Sequence, residues 1–418
     1  MSTFDRSSSR ITPLTLLGFA WVLGAAGFLD AAEAGCPRCG WAPPKRAVSA
    51  TLKPGQDLWK ALQRARPGTT VLLEDGTYTL QGALQIVAPG LVVRGKSGDR
   101  SKVILRGASM VETAVLVAVS IEAPNVTLAD LTIGRVGYHG VQVHGELGGS
   151  GSVLHNVRIV DTGQQLVKAT VGKDGRSVDD GLVACSSFEY SDHAPSDYTN
   201  GVDVHRGKGW VVRDSIFLRI RGPRDVGSRA GPAILFWNES RGTIVERNRL
   251  IDCYRGIALG LIERGTGFDH QGGVIRNNVL VNLNSWADEA IEASNSGDVR
   301  IEHNTVFVEG QVPWSIGLRF PATNGVAFNN LSNRPILLRN GARAELKANV
   351  TDAGRDWFVD LARGDLRLAR GGLSAIDAGV LLPEIGQDFD RHPRVVGKAP
   401  DAGAFEFTPK AAAPQPRR

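Results

Sequence analysis

Short apolar runs recur along most of this chain, each closed by a small polar residue. The same phrase is written four times between Thr243 and Asn330: Ile244-Val-Glu-Arg-Asn248, Val274-Ile-Arg-Asn-Asn278, Val299-Arg-Ile-Glu-His-Asn304 and Val326-Ala-Phe-Asn-Asn330. Alternation of apolar and polar residues marks each run as a half-buried β-strand. A second kind of strand lies between the phrases, with a small residue before an apolar pair: Gly256-Ile-Ala-Leu, Ala290-Ile-Glu-Ala and Ser315-Ile-Gly-Leu. Extended backwards, the phrase places Asp130, Asn156, Cys185 and Asp214 in the Asn position. The intervals from Asp130 to Asn330 are then 26, 29, 29, 34, 30, 26 and 26 residues. A near-constant period with about three short strands and no helical pattern predicts a solenoid whose turns stack around one shared apolar interior. Asn and Asp tolerate the left-handed backbone that a tight turn requires, and stacked Asn side chains can hydrogen-bond from turn to turn.

This pattern resembles the right-handed parallel β-helix of pectate lyases, chondroitinase B-like lyases, polygalacturonases and alginate C5-epimerases. The likeness covers roughly Ala50 to Val350. It implies an all-β fold, a single-stranded right-handed parallel β-helix. Residues 51–350 are the solenoid with its N-terminal cap. The cap begins with a helix predicted over Gln56 to Arg66, with Leu58, Leu62 and Ala65 on one face, stopped by Pro67-Gly68. Thr70–Leu73, a turn at Asp75-Gly76 and Tyr78 follow, as in the N-terminal caps of β-helix lyases. Such a cover hides the last apolar layer and its strand edges. Residues 35–50 read as irregular. Residues 351–407 resemble the C-terminal segment of exported β-helix proteins and are expected to cap the opposite end. Residues 408–418 read as a disordered tail. Val171–Asp180, Tyr190–Asn200 and Gly222–Gly231 exceed the repeat length and are expected to rim one patch.

Of the 418 residues, 42% are hydrophobic and 22% charged, an ordinary globular balance. With only two Met and 6% aromatics, a large aromatic-lined cofactor pocket is disfavoured. Arg6 and Arg10 precede an apolar run from Ile11 to Phe28, and Ala32-Glu33-Ala34 is a small-x-small cleavage signal. Residues 1–34 therefore read as a secretory signal peptide, with an uncleaved anchor as the alternative. Two positive and three negative charges leave with it, so the net charge rises from +5 to +6. The expectation is a secreted or periplasmic monomer, without nucleic-acid or membrane partners, whose mild positive charge suits an acidic polysaccharide. Cys36 and Cys39 suit a local disulfide or free thiols. Cys185 and Cys253 read as small buried hydrophobes.

Candidate chemistry follows from strand alternation. Aligning the Gly-apolar strands by their apolar pairs gives one row of opposite-facing residues: Gln142 and His144, Lys168 and Thr170, Asp203 and His205, Leu235 and Trp237, Ala258 and Gly260, Glu292 and Ser294, Gly317 and Arg319. Neighbouring turns are about 4.8 Å apart, so Lys168, Asp203, His205 and Trp237 should cluster within about 10 Å. Ala258 and Gly260 should leave a bare floor beside Trp237. Asn200-Gly-Val-Asp-Val-His205 is similar to the Tyr-Gly-apolar-Asp-Pro-His motif of alginate C5-epimerases, with Asn200 in place of the Tyr and Val204 in place of the Pro. Tyr198 lies two residues earlier.

Lyases and epimerases both neutralise a uronate carboxylate and remove the C5 proton, which requires a cation and a base. Lys168 or Arg206 suits the first role and His205 the second. Asp203 would orient or act at the carboxyl group, and Tyr198 would protonate the leaving oxygen. His144, Trp237, Glu292 and Arg319 are candidate substrate contacts. Calcium is a possible cofactor, with Asp179 and Asp180, and beyond them Asp192 and Asp197, as oxygen ligands. The sequence favours a polysaccharide lyase acting by β-elimination. The alternatives are a mannuronan-type epimerase, a hydrolase using Asp179-Asp180, and a non-catalytic polysaccharide-binding protein.

Overall fold

The structure is a computed structural model that describes residues 42–408. The segment expected to be a signal peptide, Cys36, Cys39 and residues from 409 onward lie outside the described residues. The described chain winds as parallel strands in three long stacks, with a short fourth of Ser240–Arg241, His270–Gln271 and Ser296–Gly297. The first runs from Val48–Leu52 through Thr70–Leu73 and Val92–Gly95 to Arg343–Lys347. The second runs from Gly76–Thr79 to Leu331–Ser332. Thr127–Val136 and Val153–Thr162 are long enough to belong to both. The third stack holds ten strands, Leu84–Ile86, Val117–Ile121, His139–His144, Val167–Thr170, Val202–His205, Pro232–Trp237, Arg255–Leu259, Ile291–Ser294, Ile316–Arg319 and Ile336–Arg339. One continuous apolar core, from Leu58 to Ala327, fills the interior.

The predicted helix is shorter than its pattern, Leu58–Gln63, with Asp57 accepting a hydrogen bond from the Lys60 amide at 2.9 Å. Leu58 and Leu62 are buried under it, as the cap reading required. Residues 48–50, expected to be irregular, already pair with Thr70 and Val71.

The turn between the first two stacks does use left-handed residues, but one position earlier than the Asn phrase in the later coils. Asp130, Asn156, Cys185 and Asp214 have φ between 51° and 57°, and their structural equivalents are Arg247, Asn277, His303 and Asn329, at 51° to 57°. The phrase Asn residues follow that turn and point inward. Asn248 donates to Asn278 Oδ1 at 3.0 Å, Asn278 to Asn304 Oδ1 at 3.0 Å, Asn304 to Asn330 Oδ1 at 3.0 Å and Asn330 to Asn349 Oδ1 at 2.9 Å. Each carboxamide oxygen also accepts the backbone N–H of the preceding Asn. The ladder thus satisfies buried backbone that the turn leaves unpaired. Asn278→Ala orphans at least one buried donor and is expected to lower unfolding free energy by about 1–3 kcal/mol, read by urea denaturation.

Two other expectations change. Cys185 is disulfide-bonded, so it is not a simple buried hydrophobe; Cys253 is free and buried, as expected. The C-terminal segment also does not sit over the end of the solenoid. Phe358, Leu361, Leu366, Leu368, Ala404 and Phe405 pack against Leu218, Ile251, Val281 and Phe307, along the outer flank of the second stack. Arg391 reaches Asp214 at 3.0 Å, and the Ala404 amide donates to Thr305 Oγ1 at 2.8 Å. Apolar residues on that outer face gave the segment a surface to cover, and it braces several coils side-on.

Candidate functional site

The third stack has the register expected from its apolar pairs. Lys168 pairs with Gln142 and Asp203, Asp203 with Leu235, Leu235 with Ala258, Ala258 with Glu292, and Glu292 with Gly317. His205 pairs with Trp237. Val202 and Val204 point into the core and are fully buried, which fixes Asp203 and His205 on the opposite face.

Lys168 is the hub. Its ammonium donates to Asp203 Oδ2, to Tyr198 Oη at 2.9 Å and to His205 Nε2 at 2.8 Å. Trp237 Nε1 donates to Asp203 Oδ1 at 3.0 Å, and the Trp237 ring meets the His205 ring edge-on with centroids 4.6 Å apart. An ammonium has only hydrogens to offer, so His205 Nε2 accepts and the imidazole proton sits on Nδ1. For the same reason the Tyr198 hydroxyl hydrogen is directed away from Lys168. Asp203 is fully buried. Burial alone would raise its carboxyl, but the adjoining His205 imidazole and the Lys168 charge outweigh that and hold it below the ordinary value. Tyr198 is 48% exposed, so the buried ion pair reaches solvent through a phenol.

Tyr198 is delivered by its loop. Asp192 pairs with Arg224 at 2.8 Å, and the Ala194 amide donates to the Arg221 carbonyl at 3.1 Å. The 190–200 and 222–231 loops therefore form one wall at the N-terminal ends of the strands. The 171–180 loop, expected beside them, follows Thr170 at the opposite strand end, where Gly172 lies against Glu146. The three loops enclose both ends of the strands instead of rimming one side.

The other predicted residues divide. Arg206 is turned to φ 55° and pairs with Glu239 at 2.9 Å, outside the Lys168 hydrogen-bond set. His144 stands on the coil next to Lys168 but outside its hydrogen-bond set, and hydrogen-bonds Glu146 through Nδ1 at 2.9 Å. Glu292 and Arg319 pair with each other at 2.6 Å and belong to a second cluster further along the axis. Ala258 and Gly260 are buried, so the bare floor is absent. The reason is that Arg319 lies back across the small residues, donating to Ser294 Oγ at 2.8 Å and to the Leu261 carbonyl at 3.0 Å. Asp179 is engaged with Ser177 and the Lys208 amide, and Asp192 with Arg224 at the other strand end. The four Asp residues do not converge, and no group of three or more His, Cys, Asp or Glu residues among the described residues is placed to hold a metal ion.

Two residues were missed. His139, which the strand alignment passed over, is largely buried beside the cluster. Burial first, and then the Lys168 charge, push its imidazole down to about 4, so it is neutral. Glu289 is buried in the second cluster and accepts from Trp314 Nε1 at 2.8 Å. Both stand two positions ahead of a strand's first inward apolar residue, His139 as the first residue of its strand and Glu289 in the bend before one.

No family model matches the sequence, and no curated protein matches it. Among solved structures, pectate lyase Pel9A superposes with a TM-score of 0.60 at 15% identity, over 87% of this chain and 98% of that one. An alginate lyase from Paenibacillus sp. str. FPU-7 gives 0.42 at 16% identity, over 71% and 100% of the two chains. The polygalacturonase of Erwinia carotovora ssp. carotovora gives 0.38 at 13%, over 73% and 96%. At these identities the likeness to Pel9A speaks for the fold alone. With its parallel stacks and inward Asn ladder, the chain is a right-handed parallel β-helix protein.

Proposed function

We propose that this protein is an exported polysaccharide lyase that cleaves an acidic, uronic-acid polysaccharide by C5 proton abstraction and β-elimination. The observation that carries the reading is the convergence of a cation, two proton-transfer groups and an aromatic wall on Lys168, on consecutive coils of one face. A merely structural Lys–Asp pair would not require a half-exposed phenol and an imidazole on the same ammonium.

The three hydrogens of Lys168 are all committed in the resting site. A uronate carboxylate arriving beside Tyr198 competes for one of them. Its charge is then neutralised by the ammonium, which makes the C5 proton more acidic. Withdrawing that hydrogen from His205 frees Nε2 as the base. The C5–H bond breaks, its electron pair forms the C4–C5 double bond, and the C4–O bond breaks with its electrons leaving on the glycosidic oxygen. Tyr198 gives that oxygen its proton. The proton held by His205 returns to Tyr198 through Lys168. Asp203, gripped by Trp237, holds the ammonium throughout. Arg206 is placed for a peripheral contact in this scheme, and Lys168 takes the neutralising role.

Tyr198→Phe keeps the ring and removes the acid. It should lower the rate of unsaturated-product formation on polygalacturonate, polymannuronate or polyguluronate by about 10²–10⁴-fold, followed by ultraviolet absorbance. An undiminished rate in that variant would remove Tyr198 from the mechanism.

A further inference from the structure

Beyond Trp237 the same face carries a second charged cluster with a layered arrangement. Below lie the carboxylates: the side chains of Asp288, Glu289 and Glu292 are 13%, 4% and 2% exposed. Above them lie three guanidinium groups, Arg255, Arg319 and Arg339, at 29%, 25% and 22%. Arg255 pairs with Asp288 at 2.6 Å, Arg319 with Glu292 at 2.6 Å and Arg339 with Glu289 at 3.1 Å. Arg339 also stacks 4.5 Å over the Trp314 ring. What faces solvent is therefore arginine, with its counter-charge buried underneath.

The geometry of this layer is built in. Glu289 fits only because Gly317 has no side chain: a Cβ there would stand 2.2 Å from Glu289 Oε2. Burial, and then the neighbouring Glu292 charge, push the Glu289 carboxyl up to about 7. Near neutrality it is therefore only partly ionised, and the three arginines are not fully matched by the carboxylates below. Arg319 and Arg339 are direct partners on adjacent strands, about 4.8 Å apart. They lie in the strand column that also carries His205 and Trp237. Arg319 is four strands along from His205, on the order of 20 Å.

We propose that Arg319, Arg339 and Trp314, with Arg255 beside them, form a distal anion-binding site that holds carboxylates of the same acidic polysaccharide several sugar units from Lys168. This inference rests on the proposed substrate class. Planar guanidinium groups take a carboxylate through two parallel hydrogen bonds, and Trp314 holds the Arg339 plane in place. A chain long enough to reach both clusters gains from the second contact, whereas a short one does not.

The test is calorimetric titration of the full-length protein with galacturonate and mannuronate oligomers, short and long. In the wild type the long oligomers should bind about ten-fold more tightly, a difference of about 1.4 kcal/mol. In Arg339→Gln the ratio of long to short affinity should fall to about one, with Arg339→Lys between the two. Arg339→Lys also serves as the test if the Gln variant fails to fold. A ratio that stays near ten in a folded Arg339 variant overturns the distal site and leaves the proposed function standing. Failure of every uronate oligomer to bind overturns the substrate class and this inference with it.

Discussion

Lys168→Met will abolish product formation and destabilise the fold, and adding Asp203→Leu will restore the stability without the activity. Asp203 is fully buried and its charge is matched chiefly by Lys168. Removing one partner of a buried ion pair strands the other in a low-dielectric interior, at a cost of about 3–5 kcal/mol. Trp237 Nε1 remains as a donor but carries no charge. Removing both partners in favour of apolar groups of similar volume avoids that penalty, and such exchanges are often neutral or stabilising. Activity behaves differently, since both variants lack the cation that neutralises the uronate. Denaturant unfolding of the single and double variants, with product absorbance on the same preparations, separates the two effects. Equal stability of Lys168→Met and the wild type would mean that Asp203 is not charged in the folded protein.

Acid will unfold the protein through histidines that take no part in the chemistry. His270 is fully buried, with Nε2 at 2.9 Å from Thr243 Oγ1 and burial pushing its imidazole down to about 3. His303 is buried between Gly403 and Asn329. Burial, aided by the nearby Arg394 charge, holds it well below the ordinary histidine range. A histidine depressed in the folded state is protonated first in the unfolded chain. Its contribution to stability is therefore intact above about 6.5 and is lost progressively as pH falls toward the folded value. At pH 4, His270 alone should account for about 3 kcal/mol of lost stability. Glu289 and Glu406 work in the opposite direction. Burial pushes both up to about 7, so they bind protons in the folded state and cost stability as pH rises from about 4.5 to 7. His270→Phe isolates one group: its unfolding free energy should be flatter by about one proton between pH 6 and 4. An unchanged pH slope would mean that His270 is already charged in the fold.

The sequence made the solenoid legible because one strand phrase repeats at a nearly fixed interval, and the register of the third stack followed from its apolar pairs alone. Lys168, Asp203, His205 and Trp237 came together for that reason. The Asn ladder was anticipated and runs through the phrase residues themselves, but the left-handed turn lies one residue before them in the later coils. Both members of pairs such as Asn277-Asn278 suit a turn, and only the backbone shows that the first takes the left-handed position. What the sequence could not show was how long side chains lie. Arg319 folds back over Ser294 toward Leu261 and closes the floor that Ala258 and Gly260 were expected to leave open. Glu289 escaped notice because it stands at a bend, where alternation no longer applies, and because Gly317, which makes room for it, lies 28 residues later in the chain. The C-terminal segment was misplaced because its apolar residues say that it covers something but not which surface.

Proton nuclear magnetic resonance of a polyuronate incubated with the protein in deuterated water tests the central claim most directly. The account predicts olefinic signals from a new C4–C5 double bond, growing with time and absent with Lys168→Met. Deuterium at C5 without olefinic signals would show epimerisation in place of elimination. New reducing ends without either signal would show hydrolysis. Either result would contradict the lyase account.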